Sequence, residues 1–151
     1  MNIPLTKLNY TFRAKPLLIG GMAMEYYGLR KAGTDIDLVV IREDYTALAQ
    51  SYPDRLKDLW GDLGVCPYEF EIWTSIMLFE YADLAMDAID AGDYLVISLE
   101  KLLFLKTLGM QVEKYHNDME LIVKKITTDR YAAWWPTLDK ERQDWYLSHN
   151  K

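Results

Sequence analysis

Residues 17–41, LLIGGMAMEYYGLRKAGTDIDLVVI, contain the pattern that decides the fold. An apolar run breaks at Gly20-Gly21, continues as a segment with helical spacing, and ends in a second apolar run that carries Asp35 and Asp37. The pattern predicts a strand, a helix and a second strand, over residues 17–20, 22–29 and 34–41. Residues i and i+2 of a strand share one face, so both carboxylates are expected to project to the same side.

Two carboxylates on one face are chemically unusual inside an apolar strand. Two carboxylates at such a short distance raise each other's pKa unless a cation lies between them. Oxygen-only sites of this kind suit Mg²⁺, which is commonly held by one or two carboxylates together with substrate phosphates. For Asp-x-Asp alone, a half-buried strand with an acidic polar face is an equally good interpretation, because short motifs often match by chance.

The Gly20-Gly21 pair makes the first interpretation more specific. Glycines between a strand and a helix let backbone amides approach a phosphate, next to the positive end of the helix. A glycine pair is also a common way to turn a strand into a helix. The combination of the glycine pair with the two aspartates carries more information than either part.

The arrangement resembles the DNA polymerase β-like nucleotidyltransferases, and most of all the small bacterial enzymes related to AbiEii toxins. The matching positions are Gly20, Gly21, Ala23, Arg30 and Thr34 to Asp37. The resemblance implies Mg²⁺-dependent transfer of a nucleoside monophosphate from an NTP, with a two-metal site. It implies that Asp35 and Asp37 are metal ligands and that Gly20, Gly21, Arg30 and Thr34 bind the nucleotide. For Arg30, a solvated loop charge is an equally good interpretation.

A third carboxylate is expected on the strand predicted over residues 65–74, where Glu69 and Glu71 share a face. The superfamily uses such a residue between apolar neighbours, and Glu71, between Phe70 and Ile72, fits best; Glu69 is the alternative. A carboxylate beside a metal-bound pair can ligate a second Mg²⁺ or act as a base. A strand with a solvated acidic face is the less favoured alternative.

Two later helices carry weaker matches. Lys106 emerges from the apolar face of a helix predicted over residues 99–108 and capped by Ser98, and related families have an LxxLK helix here. Lys106 therefore either approaches the acids or the triphosphate, or extends its amine to water. In the helix predicted over residues 111–126, Lys114 and Asp118 match the family only in part, and an ordinary i,i+4 ion pair explains them as well.

The rest of the chain is predicted from periodicity and turn residues. We expect a helix over residues 43–60 that is kinked at Pro53, a helix over residues 76–90, and a short strand over residues 94–97. The tail, residues 127–151, is rich in tryptophan and tyrosine. These rings could stack bases, but packing of a closing helix on the core is favoured.

Composition restricts the classes of function. At 151 residues, 50% hydrophobic and 26% charged, the chain is expected to form one globular domain with its core over residues 15–126. A secretory leader and a membrane span are not expected, and the single Cys66 favours a reducing compartment, so a cytoplasmic location is predicted. The net charge of −6 means that any contact with RNA must be local.

Together these observations predict an α/β (α+β) protein with the nucleotidyltransferase fold, a mixed sheet of about four strands flanked by helices, and a helical C-terminal part. The expected activity moves NMP from an NTP to a hydroxyl on RNA such as tRNA, on a protein or on a small molecule, with a cognate antitoxin as a further partner. The alternative is a catalytically silent domain of the same fold that binds a partner protein.

Overall fold

A seven-stranded mixed sheet forms the centre of the computed structural model, which describes residues 1–149. The strands are β1 (Leu17–Leu18), β2 (Ile36–Val39), β3 (Leu56–Leu59), β4 (Asp62–Val65), β5 (Phe70–Trp73), β6 (Ser75–Ile76), β7 (Phe79–Glu80), β8 (Ile89–Asp90) and β9 (Leu95–Val96). Their order in the sheet is β3-β4-β5-β2-β1-β9-β8, and β6 and β7 form a separate hairpin.

The described residues also form six α-helices. They are α1 (Gly20–Tyr26), α2 (Arg42–Ser51), α3 (Tyr81–Leu84), α4 (Leu99–Leu108), α5 (Glu113–Trp134) and α6 (Lys140–His149). Short 3₁₀ helices lie at Leu5–Leu8, Pro53–Arg55 and Trp135–Thr137. The predicted Ser98 cap is present, since its hydroxyl oxygen accepts the backbone N–H of Lys101 at 3.2 Å.

The pairing of the central strands places the acidic residues. β1 pairs antiparallel with β2, and β2 pairs parallel with β5 in a register that sets Asp37 beside Glu71. The apolar neighbours on β2 and β5 point to the opposite face and are buried, as alternation along a strand requires. The core contains Leu38 and Ile72 from these strands, with Met24 of α1 and Leu102 of α4.

The predicted α/β class is confirmed, but the sheet of about four strands is wrong, because the main sheet has seven. Part of the difference lies in the segment predicted as one helix over residues 43–60. Helix α2 ends at Ser51, and the chain then forms β3 and turns at Trp60 and Gly61 into β4. Positive φ at both turn residues makes a two-residue hairpin turn, whose twist matches antiparallel strands.

Two further segments differ from the prediction. The strand expected over residues 65–74 is divided between β4 and β5 by a turn in which Tyr68 has φ 54°. The helix expected over residues 76–90 is instead the β6–β7 hairpin, the four-residue α3 and strand β8. Its apolar spacing fits a helix, but Asp62 accepts the backbone N–H groups of Met77 and Leu78, which fixes a hairpin turn there.

The C-terminal part is helical, as predicted. Helix α5 continues eight residues beyond the predicted end at 126, through Trp134, and α6 follows. The aromatic rings of this part contact one another, with Tyr131 against Trp134, Trp135 and Tyr146. Residues 150 and 151 of the predicted tail lie outside the described residues. Nowhere in residues 1–149 is a helix both long enough and apolar enough to cross a membrane.

Candidate functional site

A cleft of about 600 Å³ lies where the β1–α1 junction meets β2, α4 and α5. It brings together most of the residues that the sequence singles out. They are Gly20, Gly21, Arg30, Asp35, Asp37, Lys106, Lys114 and Asp118. Gly33, Tyr115 and Asn117 complete the lining, whereas Thr34 is exposed to solvent outside it.

Gly20 is fixed by its contact with Asp37. It is the first residue of α1 and has φ +65°, a conformation that L side chains rarely adopt. A Cβ atom at this position would lie 2.4 Å from Asp37 Oδ2. The carboxylate of Asp37 therefore lies directly on the backbone of the glycine turn, which explains why a glycine is needed here.

Asp37 is the most perturbed acid in the cleft. Burial raises its pKa to about 7, and the hydrogen bond to Glu71 and the negative charges of Glu71 and Asp35 act in the same direction. Lys106 opposes the shift but does not cancel it. A carboxyl held between other carboxylates in a buried place is a group whose ionised form a cation would stabilise.

The two candidates for the third carboxylate lie in different environments. Glu71 stands beside Asp37 on the paired strand, and its Oε1 accepts a hydrogen bond from Lys57 Nζ at 3.2 Å. Glu69 instead forms an ion pair with Lys7 at 2.8 Å, which holds the pKa of Glu69 below its ordinary value. The structure thus brings Glu71, and not Glu69, to the aspartates.

Asp118 connects two of the three cations that line the cleft, Arg30 and Lys106. Its two oxygens accept hydrogen bonds from Arg30 Nε at 2.6 Å and Nη2 at 2.8 Å, and Lys106 Nζ lies 2.9 Å from Oδ2. Burial acts to raise the pKa of Asp118, but the hydrogen bonds from Arg30 and Lys106 outweigh it and keep the pKa below its ordinary value. Arg30 is therefore a partner of Asp118 rather than a solvated loop charge.

Three residues of the site escaped the sequence interpretation. Lys57 was expected on a helix, and only the β3–β4 hairpin brings it to Glu71. Tyr115 lines the cleft, and the centre of its ring lies 4.5 Å from Lys106 Nζ. Asn117 carried no signal beyond its place between Lys114 and Asp118. Cys66, the single cysteine, is partly buried, and burial raises the pKa of its thiol.

The side chains available as ligands determine whether the cleft could hold a metal ion. Within residues 1–149, no group of three or more His, Cys, Asp or Glu side chains is arranged as a ready metal site. Asp35 and Asp37 nevertheless line the cleft, with Glu71 beside Asp37 on the paired strand. These residues fit a hard cation such as Mg²⁺ that takes one or two carboxylates and completes its shell with phosphates and water.

Comparisons with known proteins add no relative to this description. No protein-family model matches the chain, and neither a curated protein nor a solved structure matches it.

Proposed function

We propose that the protein is a Mg²⁺-dependent nucleotidyltransferase of the DNA polymerase β-like kind, which moves NMP from an NTP to a hydroxyl. One observation carries the proposal. Asp37, with its raised pKa, lies against the glycine turn in the same cleft as Asp35 and the buried Lys106. A carboxyl that lies beside other carboxylates, with a lysine and a glycine turn close by, suits a metal ion together with phosphates.

The size and charge of the cleft support a nucleotide. A volume of about 600 Å³ falls within the range of roughly 300–1,000 Å³ that is usual for small-molecule sites. The lining contains the acids Asp35, Asp37 and Asp118, and the cations Arg30, Lys106 and Lys114. The same cleft thus offers ligands for a divalent cation and positive charges for phosphate oxygens.

Each residue has a role in the proposed transfer. Asp35 and Asp37 would hold Mg²⁺, which when bound neutralises phosphate charge and orients the triphosphate. Asp37 fills the space beside Gly20, so phosphate oxygens would approach the backbone at Gly21, and Lys106 adds positive charge in the same cleft. The acceptor oxygen forms a bond to the α-phosphorus, the bond from that phosphorus to the bridging oxygen breaks, and pyrophosphate leaves. Glu71 takes the proton of the acceptor hydroxyl or completes the metal site.

The acceptor of the nucleotide, the protein partner and the cellular location are also proposals. RNA such as tRNA, a protein hydroxyl and a small molecule are the acceptor classes, a cognate antitoxin is the proposed protein partner, and the cytoplasm is the proposed compartment. The net charge of −6 favours an acceptor whose contacts with the protein are local.

Transfer of label tests the proposal. The protein is incubated with each α-³²P-labelled NTP, Mg²⁺ and a total cell extract, and the products are separated on a gel. We expect label in one class of product, and we expect Asp37→Asn to abolish it without loss of fold because Asp37 holds the metal. Asp90→Asn is the matched control, since Asp90 pairs with Lys15 at the surface. Undiminished transfer by Asp37→Asn would refute the assignment.

A second candidate is a catalytically silent domain of the same fold that binds a partner protein. The observation that favours it is that Arg30 and Lys106 are both held by Asp118, which occupies the cations otherwise available to phosphates. A ligand that binds the folded state must raise its thermal stability. A midpoint that stays constant with Mg²⁺ and any of the four NTPs, in a chain that transfers no label, would favour this second function.

A further inference from the structure

Lys57 reaches Glu71 across the surface of the sheet. On the edge strand β3, Lys57 is the register partner of Gly64, and Gly64 is the partner of Trp73 on β5. Residues directly opposite each other share a face, as do residues two apart on a strand, so Lys57 and Glu71 lie on the same face. The ammonium of Lys57 is 3.2 Å from Glu71 Oε1.

Gly64, on β4 between β3 and β5, allows Lys57 to approach Glu71. A Cβ atom at Gly64 would lie 2.6 Å from the Trp73 ring, so the indole covers β4 at this point and a larger residue would displace it. Lys57 lies beyond Gly64 on β3, which is the edge strand of the sheet next to β4. The ion pair is therefore a product of sheet register and not of neighbouring sequence.

Glu71 has a different neighbour on each side. Asp37 is its register partner on β2, while Lys57 contacts its Oε1. The other titratable groups near Lys57 are Asp35 and the thiol of Cys66. Glu71 thus differs from Asp35 and Asp37, because its negative charge already has a cation from the chain itself.

We propose that Lys57 is a positioning residue for Glu71; the proposal rests on the nucleotidyltransferase function above. By holding Oε1, Lys57 keeps Glu71 on the β3 side of Asp37 and competes with a divalent cation for its charge. Asp35 and Asp37 are then the metal ligands, and Glu71 serves as the group that accepts the proton of the incoming hydroxyl. Lys57 itself contacts Glu71 and acts through it.

Metal binding without nucleotide is the first test. Mn²⁺ is titrated calorimetrically into the wild-type protein, Lys57→Gln, Glu71→Gln and the double variant. We expect Lys57→Gln to bind Mn²⁺ several-fold more tightly, because the competing ammonium is gone, and we expect this gain to vanish when Glu71→Gln is added. Lys7→Gln is the matched control, since Lys7 holds Glu69 in a pair of similar exposure, and its affinity should equal that of the wild type.

Transfer kinetics are the second test, with labelled NTP and total cell extract as the probe. We expect Lys57→Gln to lower the rate at saturating NTP about tenfold, a part of what a general base contributes, with an unchanged KM for NTP. Lys57→Arg should restore most of the rate. The double variant should be no slower than Glu71→Gln, because residues that act through one group are not additive.

The two tests separate the inference from the proposed function. If the wild-type protein transfers no label from any NTP, the proposed function fails, and a gain of Mn²⁺ affinity in Lys57→Gln still supports the competition between Lys57 and a cation. If the wild type is active but Lys57→Gln has the wild-type Mn²⁺ affinity and rate, the inference is overturned. A raised KM for NTP in Lys57→Gln overturns it as well, since Lys57 would then bind the nucleotide.

Discussion

Asp118 joins three segments of the chain at the scale of a single residue. Its side chain is 4% exposed and holds Arg30, from the loop after α1, together with Lys106 of α4. Both cations lie in the cleft, and Lys106 has only 9% of its side chain exposed. The single carboxylate therefore lies between two positive charges and reduces their repulsion in a poorly solvated place.

Asp118→Asn is expected to destabilise the protein by about 3–5 kcal/mol, the usual cost of leaving a buried charge without its partner. Urea unfolding measures the loss. Asp129→Asn on the same helix is the matched control, because Asp129 is 57% exposed and pairs with Lys125 at i,i+4. That change should cost less than about 0.5 kcal/mol. Equal losses in the two variants would mean that Asp118 does not stabilise the cleft.

The sequence indicates these residues but not their pairing. Arg30, Lys106 and Asp118 each stand out by residue type and place, yet three separate segments must meet before Asp118 can contact both cations. Lys57 is harder still. Nothing in its neighbours distinguishes it, because its partner is decided by strand pairing across Gly64.

At the scale of elements, the β1–α1 junction depends on a backbone that only glycine takes up easily. Gly20→Ala places a Cβ atom 2.4 Å from Asp37 Oδ2 at a residue with φ +65°. We expect a loss of about 1–2 kcal/mol in the free energy of unfolding from the conformation alone, and a displaced Asp37 in addition. Mg²⁺·ATP titrations followed by thermal shift should therefore show a weaker response.

Gly33→Ala is the control for this variant. Gly33 also lines the cleft, but a Cβ atom there meets nothing within 4 Å, and its φ lies outside the left-handed region. Gly33→Ala should keep a near-wild-type thermal shift with Mg²⁺·ATP. A normal response from Gly20→Ala would show that the contact between the glycine turn and Asp37 is not needed for binding.

The elements differ in how far the sequence defines them. Helix α4 matches its prediction because a good N-cap, a continuous apolar run and a closing glycine coincide. The β3–β4 and β6–β7 hairpins were missed because their turns use Trp60, Met77 and Leu78 at positive φ, where glycine or asparagine is usual. Contacts such as those of Asp62 to the second turn override the local pattern.

At the scale of the whole molecule, the described residues after the core, 127–149, pack mainly on one another. None of the described residues 127–149 is buried, and the rings of Tyr131, Trp135 and Tyr146 contact one another. The last buried residue on α5 is Ile122. The cleft and the sheet therefore draw their packing from residues before the end of α5.

A chain that ends at Thr128 is expected to keep the fold and the cleft, with a change in unfolding free energy below about 1 kcal/mol. Urea unfolding and the Mg²⁺·ATP thermal shift measure both properties. For comparison, Ile122→Ala in the full chain should cost about 2–5 kcal/mol, because Ile122 is fully buried. A truncated chain as unstable as Ile122→Ala would show that the aromatic part supports the core.

The parallel pairing of β2 with β5 also has a kinetic consequence. Asp37 and Glu71 are 34 positions apart and meet across a parallel ladder, whose strands need a long crossover before they can align. Contacts of such sequence separation form slowly, since loop closure precedes any gain from them. Asp118, 81 positions beyond Asp37, is needed to neutralise the cleft. A chain still emerging from the ribosome therefore lacks an assembled site until α5 has been made.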